Sequence, residues 1–305
     1  MPKHKAIIIV NPNADLGRAW RAAADLRPVV EEYGGADWTG TVYPTHATEL
    51  ARRAGEEGYE LVLSAGGDGT AHEIVNGLMQ LPPEQRPRLG VLPLGTGNDF
   101  AHAAGFVNDP AQALRQAFTG QVRRIDIGRL QDEHGRVEYW DNALGIGFDT
   151  IVTIRSRRLT YLRGFMVYMV AVLQSILLDH IAPRIQVTSD GESWADEMLL
   201  LVLANGPREG GGFHVAPGAS ASDGIFNYAA IRNVSRLRML RLLPEVMKGT
   251  HGRFKDVRLG KFQKLSLQSD QPLIIHTDGE IYSGFGGNVR HLDVELLPGA
   301  IEVVS

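Results

Sequence analysis

Leu61-Val62-Leu63-Ser64-Ala65 runs directly into Gly66-Gly67-Asp68-Gly69-Thr70, an apolar strand ending in a glycine loop, and the fold is decided there. Thr70 then opens a helix, and Glu73, three residues on, has capping-box spacing. The N–H groups at a helix start, with the positive end of the helix dipole, suit an anionic phosphate. Glycines let backbone approach a ligand closely and adopt positive φ. A carboxylate beside phosphate needs a cation between them. Asp68 therefore reads as a ligand, direct or through water, of Mg²⁺ carried by a nucleotide. The competing reading is a plain glycine-rich turn before a helix.

The next strand repeats the pattern: Leu92-Pro93-Leu94-Gly95-Thr96-Gly97-Asn98-Asp99, with Asn98 or Asp99 as helix cap. Neighbouring strands would bring both loops to one sheet edge. The dinucleotide fingerprint G-x-G-x-x-G is not met. The pairing of two loops carries the signal.

Around these loops the first 127 residues alternate. Apolar runs at 6–10, 38–43, 61–65, 89–92 and 122–127 read as strands. Helical stretches lie near 19–33, 46–57, 71–79, 99–104 and 111–118, with Pro28 marking a kink or division in the first. Such alternation implies an α/β, doubly wound parallel sheet that binds ligands at the carboxyl ends of its strands. After Gly128 the texture becomes strand-rich (185–189, 198–204, 225–231, 265–268, 273–277, 292–296), separated by Asp190-Gly191, Asp223-Gly224 and Asp278-Gly279. Two helices interrupt it, at 159–178 and near 237–247. The expected organisation is a nucleotide-binding domain over 1–128 and a β-rich, antiparallel, sandwich-like domain over 129–289, with the active site in a cleft between them.

Composition narrows the classes further. The chain has 305 residues, 35 of them glycine and none cysteine, with 44% hydrophobic, 22% charged and net charge −4. That is too apolar for disorder, and it excludes disulfide scaffolds, thiolate metal sites and a cysteine nucleophile. Met-Pro-Lys-His-Lys before Ile7–Val10 does not read as a signal peptide, and a reducing cytoplasm is the expected location. The apolar segment 159–181 approaches spanning length, but Arg163, Gln174, Ser175, Asp179 and His180 interrupt or bound it. A buried helix is expected there. No G-x-x-x-x-G-K-[ST], G-x-S-x-G or H-E-x-x-H pattern occurs, Asn76 standing where the second zinc histidine would be.

These residues resemble the diacylglycerol kinase catalytic-domain family, which includes sphingosine kinases and bacterial lipid kinases and is distantly related to NAD kinases. Asn11-Pro12, the two glycine loops, Asn142–Asp149, Gly210-Gly211-Gly212-Phe213, Ser222-Asp223-Gly224 and Thr277-Asp278-Gly279-Glu280 carry the resemblance in order along nearly the whole chain. It implies an α/β nucleotide-binding domain joined to a β-rich one, with residues about 290–305 returning to the first. It implies ATP as co-substrate and Mg²⁺ as cofactor. Asp68 would organise Mg²⁺ and water at the phosphates. Gly66, Gly67, Gly69, Thr70, Gly95, Thr96, Gly97 and Asn98 would line the nucleotide, with Asn11 and Thr45 at the same edge. Glu280 is the chosen general base, and Asp278 its support or a metal contact; a hairpin turn is the alternative for Asp278-Gly279. A structural Mg²⁺ would be held by Asp223 with carbonyls of Ser220 and Ile225. Ser222 and Asn227 stand where the family often has a second acid, and a solvated type I′ turn is the alternative.

Charge is uneven. Residues 232–264 hold ten basic side chains against Glu245 and Asp256, a balance of +8, which leaves −12 elsewhere. Arg155, Arg157, Arg158 and Arg163 form a second cluster ahead of the apolar segment. A basic face suits anionic lipid headgroups, and a solvated surface is the plainer reading. No motif favours nucleic acid.

The expectation is an ATP- and Mg²⁺-dependent kinase acting on a membrane lipid hydroxyl, most simply diacylglycerol giving phosphatidate. It would belong to phospholipid metabolism and touch the anionic membrane surface reversibly from the cytoplasm. A soluble NAD-kinase-like enzyme and a non-catalytic nucleotide- and membrane-binding protein are the alternatives. Neither the lipid nor the oligomeric state, a homodimer included, is encoded by a motif.

Overall fold

The structure is a computed structural model that describes residues 5–159, 161, 162 and 164–305. Met1 to His4 of the amino-terminal reading and Arg163 of the basic cluster lie outside the described residues. Contacts divide the chain into one compact unit of Met1–Ile127 with Pro298–Ser305 and a second of Gly128–Leu297.

The first unit runs β1 (Ala6–Val10), α1 (Ala14–Gly17), α2 (Ala19–Asp25), α3 (Arg27–Glu32), β2 (Asp37–Gly40), α4 (His46–Glu56), β3 (Leu61–Gly66), α5 (Asp68–Leu78), β4 (Arg88–Pro93), α6 (Asp99–Ala103) and α7 (Pro110–Thr119). Its strands are parallel in the order β4-β3-β1-β2. All six residues of β3 are buried, which is why its sequence is a continuous apolar run rather than an alternating one. The expected long first helix is divided at Leu26. Pro28 sits in the first turn of α3, where its missing N–H costs nothing. Helices α4 and α5 pack closely: a Cβ on Gly77 would run into the Thr48 carbonyl.

The chain leaves this unit along β5 (Val122–Asp132) and returns along β15 (His291–Val304). Between them come β6 (Val137–Trp140), β7 (Ala143–Gly147), α8 (Phe148–Ser156), α9 (Phe165–Leu178), β8 (Arg184–Ser189), β9 (Glu192–Ala204), β10 (Phe226–Arg232), α10 (Arg236–Met247), β11 (Val257–Phe262), β12 (Lys264–Ser269), β13 (Ile275–Thr277) and β14 (Glu280–Ser283). Pairing in the second unit is antiparallel, and the long β9 belongs to two sheets. Its first half pairs with β8 and its second half with β7 and β10. Trp140, Phe226, Phe262, Leu201 and Leu267 fill the core of this unit, each fully or almost fully buried.

Two elements differ from the sequence reading. Helix α8 was not expected: its sequence, Phe148-Asp149-Thr150-Ile151-Val152-Thr153, is rich in β-branched residues that disfavour helix. The apolar segment forms the 14-residue α9 rather than a buried helix, for only Ala171, Val172, Ser175 and Ile176 are buried. Leu177 and Leu178 are about two-thirds exposed (66% and 65%), and Met166 and Leu173 are exposed with them. Among the described residues no helix is long and apolar enough to cross a membrane.

Candidate active site

Parallel β3 and β4 deliver both glycine loops to the same edge of the first unit's sheet. The loops touch. Leu94 N–H donates to the Gly66 carbonyl at 2.9 Å. A Cβ on Gly95 would collide with Gly67 Cα, a backbone atom with nowhere to go. Helix α5 begins at Asp68, after Gly67 in extended conformation. The half-buried Asp68 carboxylate accepts the Phe100 N–H through Oδ1 at 3.1 Å, tying the start of α5 to that of α6. Its Oδ2 lies over Gly97, where a Cβ would come within 2.9 Å of it. Asn98, in left-handed conformation at φ 52°, turns its amide back on Gly95. Oδ1 accepts the Gly95 N–H at 3.0 Å, and Nδ2 donates to the Gly95 carbonyl at 3.1 Å. Asn98 therefore clasps its own loop and makes no cap bond to α6.

The expected capping box is also corrected. Helix α5 starts two residues before Thr70, and Glu73 serves a different helix. Its carboxylate accepts the N–H groups of Thr45 (2.9 Å) and Ala47 (3.0 Å) at the start of α4. Thr45 is exposed, at φ 68°, and is held at this edge by that bridge. The Thr70 hydroxyl instead accepts from Asn11 Nδ2 at 3.1 Å, and Gly66 leaves it room because a Cβ there would strike Oγ1. Asn11 Oδ1 accepts the Asn13 N–H at 3.0 Å. Asn11, Thr45, Gly67, Gly95, Thr96, Gly97 and Asn98 thus lie in the connections that follow the first unit's strands, with Gly66 at the end of β3 and Asp68, Gly69 and Thr70 in the first turn of α5. Backbone amides, an 11-residue helix start and a carboxylate converge there, a setting suited to phosphate with a divalent cation.

The second group of expected residues stands in the second unit, on the turn between β13 and β14. Asp278 (φ 51°) and Gly279 (φ 85°) both take positive φ, the type I′ hairpin geometry. The role expected for Asp278 changes. Its buried carboxylate accepts the N–H groups of Asp141 (2.9 Å), Asn142 (2.8 Å) and Ala143 (2.9 Å), so it pins the β6–β7 connection. Three amide donors take three of the roughly four acceptor sites of its carboxylate, which makes it first of all a support for this turn. Glu280 is half exposed, and its Oε2 pairs with Arg157 Nη2 at 2.6 Å. The same guanidinium donates to the Gly279 carbonyl at 2.8 Å. Thr277 Oγ1 donates to Glu138.

Three further residues gather behind this turn that sequence reasoning did not single out. His276 is 2% exposed, its Nε2 lies 2.8 Å from Asp149 Oδ2, and Glu209 Oε1 is 4.0 Å away. Gly145 pairs directly with His276 across β7 and β13. A Cβ on it would collide with both Asp149 Oδ2 and His276 Nε2. Asp149 closes the Asn142–Asp149 stretch quoted above, and His276 stands two residues before Asp278; those positions were the available signal.

Ser220, Asp223 and Ile225 share one surface segment, where Asp223 Oδ1 accepts the Ile225 N–H at 3.4 Å. Gly224 alone has positive φ (74°), so the segment is not a type I′ turn. Its carbonyl accepts Gln263 Nε2 at 2.9 Å. Gly210 and Gly212 make room for α9: a Cβ on Gly210 would come within 3.0 Å of the Tyr168 ring, and one on Gly212 within 2.8 Å of the Phe165 ring. Three of the ten cations of the basic segment stand in ion pairs among the described residues. Arg232 meets Asp196, Arg238 meets Asp256, Arg253 meets Glu245, and in the other cluster Arg155 meets Asp179.

Residues 5–130 match the family described as the diacylglycerol kinase catalytic domain, and residues 142–305 match the YegS C-terminal NAD kinase beta sandwich-like domain. A protein of Chromohalobacter salexigens named "Probable lipid kinase YegS-like" is 35% identical over 256 residues, 83% of this chain and 78% of its own length. A diacylglycerol kinase of Bacillus subtilis is 29% identical over 300 residues, 95% of each chain. A solved structure of a diacylglycerol kinase from Bacillus anthracis superposes with TM-score 0.71 at 21% identity, covering 99% of this chain and 96% of that one, a likeness of fold.

Proposed function

The chain belongs to the diacylglycerol kinase family of YegS-like lipid kinases, and on that premise we propose that it transfers the γ-phosphate of ATP to a membrane lipid hydroxyl, diacylglycerol giving phosphatidate. The observation that carries this reading is the pair of touching glycine loops around Asp68. Loop amides and the start of α5 take the triphosphate. Mg²⁺, when bound beside Asp68, would neutralise phosphate charge. Glu280 accepts the proton of the lipid hydroxyl as its oxygen bonds to the γ-phosphorus; the bond to the β–γ bridging oxygen breaks and ADP leaves. Arg157 holds the Glu280 carboxylate in one orientation.

Membrane contact has its own support. Helices α9 and α10 belong to one packed cluster, with Arg236 Nε donating to the Ile176 carbonyl at 3.0 Å. Outward they present Met166, Leu173, Leu177, Leu178, Leu237 and Leu240, with Arg241 and Lys248 exposed on or beside α10. An apolar face rimmed by cations fits an anionic bilayer surface reached from the cytoplasm.

The test is phosphate transfer from labelled ATP to a panel of hydroxylated lipids in mixed micelles, with NAD as a soluble acceptor. Phosphatidate formation is the expected result. Transfer to NAD alone, or to no acceptor, overturns the reading.

A further inference from the structure

Asp149, Glu209 and His276 offer three donor atoms within 4.8 Å of one another, an arrangement that invites comparison with a metal site. The hydrogen bonds decide otherwise. Gly279 N–H points at His276 Nδ1 at 3.2 Å, so Nδ1 keeps its lone pair and the ring proton sits on Nε2, assigned here from the network. Nε2–H then donates to Asp149 Oδ2 at 2.8 Å. A nitrogen carrying its proton cannot ligate a cation.

The tautomer gives the group a different task. The geometry points to His276 as a positioning residue: oriented by Asp149, it holds the Gly279 N–H and so presents Glu280 to the acceptor hydroxyl. Helix α8 grips the turn from two places. Asp149, near its start, acts through His276 on the amide side of Gly279, and Arg157, just after its last residue, takes the Gly279 carbonyl and Glu280 itself. Gly145 leaves the space in which the imidazole and Asp149 meet. A turn with two successive positive-φ residues, one of them Asp278, stores strain that such bonds offset. This inference rests on the role of Glu280 proposed above.

An asparagine amide oxygen can occupy the place of Nδ1, whereas a glutamine amide reaches only the place of Nε2. His276→Asn should therefore keep kcat within about threefold of wild type, and His276→Gln should lower it by about tenfold or more at unchanged KM for ATP. In a Glu280→Gln background, His276→Gln should change kcat by less than about twofold, because a residue acting through Glu280 has nothing left to position. Equal losses in the two His276 variants, or full additivity with Glu280→Gln, overturn the inference while leaving the Glu280 role standing. A fully active Glu280→Gln instead overturns the Glu280 role.

Two readings need no turnover. Imidazole ¹⁵N shifts should report a bare Nδ1 and a protonated Nε2. Gly279 amide exchange should be slow in wild type and His276→Asn and faster in His276→Gln. A protonated Nδ1, or exchange indifferent to residue 276, rejects the assignment whatever the acceptor lipid is.

Discussion

The glycine-loop edge of the first unit and the Glu280 turn of the second are built on opposite plans. At the first, glycines bring backbone against backbone, and the side chains that matter, Asn11, Asp68, Thr70 and Asn98, bond within the same cluster of loops. At the second, almost every fixing bond comes from a group distant in sequence: the side chains of Asp149, Arg157 and Glu138, and the backbone amides of 141–143 facing Asp278. Anion binding needs many weak, preorganised dipoles, and backbone supplies those wherever glycine permits close approach. Proton transfer needs one carboxylate held in one place, and only a network of side chains can do that.

The comparison is broken most sharply at Asp68. Asp68→Ala should lower phosphate transfer by about a thousandfold or more while leaving the circular dichroism spectrum and Tm close to wild type. An active variant removes Asp68 from the mechanism. Glu280→Gln should cost about a hundredfold in kcat with ATP affinity intact; equal losses in kcat and ATP binding would reassign Glu280 to the nucleotide.

The glycines sharpen the contrast between the two plans. Gly95→Ala forces Cβ into Gly67 Cα and should weaken ATP binding by about tenfold. Gly145→Ala strikes side-chain atoms of Asp149 and His276, so it should lower kcat and leave ATP binding alone. Isothermal titration with a non-hydrolysable ATP analogue separates them. If both variants lose ATP affinity alike, the division of labour is wrong.

On the proposed membrane-contacting face, Leu177→Asp with Leu237→Asp should reduce flotation with anionic vesicles by about tenfold without changing ATP binding. Unchanged flotation moves the contact elsewhere. The smallest effect concerns His251, whose Nε2 bonds the Val215 carbonyl. Burial holds its imidazole below the ordinary value of 6.5. The unfolded chain therefore takes up a proton near pH 6.5 that the folded one resists, so stability is full above that pH and falls as pH drops through it. A loss of about 2–4 °C in Tm between pH 7 and 5, smaller in His251→Gln, is expected from thermal melts. Identical pH dependence in the two proteins would remove His251 as its source.

The first unit was legible because its signals are local. A continuous apolar run ahead of Gly66-Gly67-Asp68 marks a buried parallel strand ending in a glycine turn before a helix, and neither feature depends on the rest of the chain. Helix α8 was illegible for the opposite reason, its β-branched residues being overruled by packing against β7 and α9. Glu73 had capping-box spacing, yet its carboxylate found the amides of Thr45 and Ala47, which no local rule relates to it.

By itself the amino-acid sequence determined the class of fold, the two glycine loops, Asp68 in the first of them and the Asp278–Glu280 turn, because propensity, periodicity and glycine's tolerance of positive φ act over a few residues. Tertiary structure alone decided the donors that face each carboxylate of that turn. Two positions apart in the chain, Asp278 and Glu280 meet different surroundings. Antiparallel pairing of β13 with β7 buries Asp278 against three amides and leaves Glu280 at the surface beside Arg157. A carboxylate's chemistry is set by the donors that face it, and those donors arrive only with the fold.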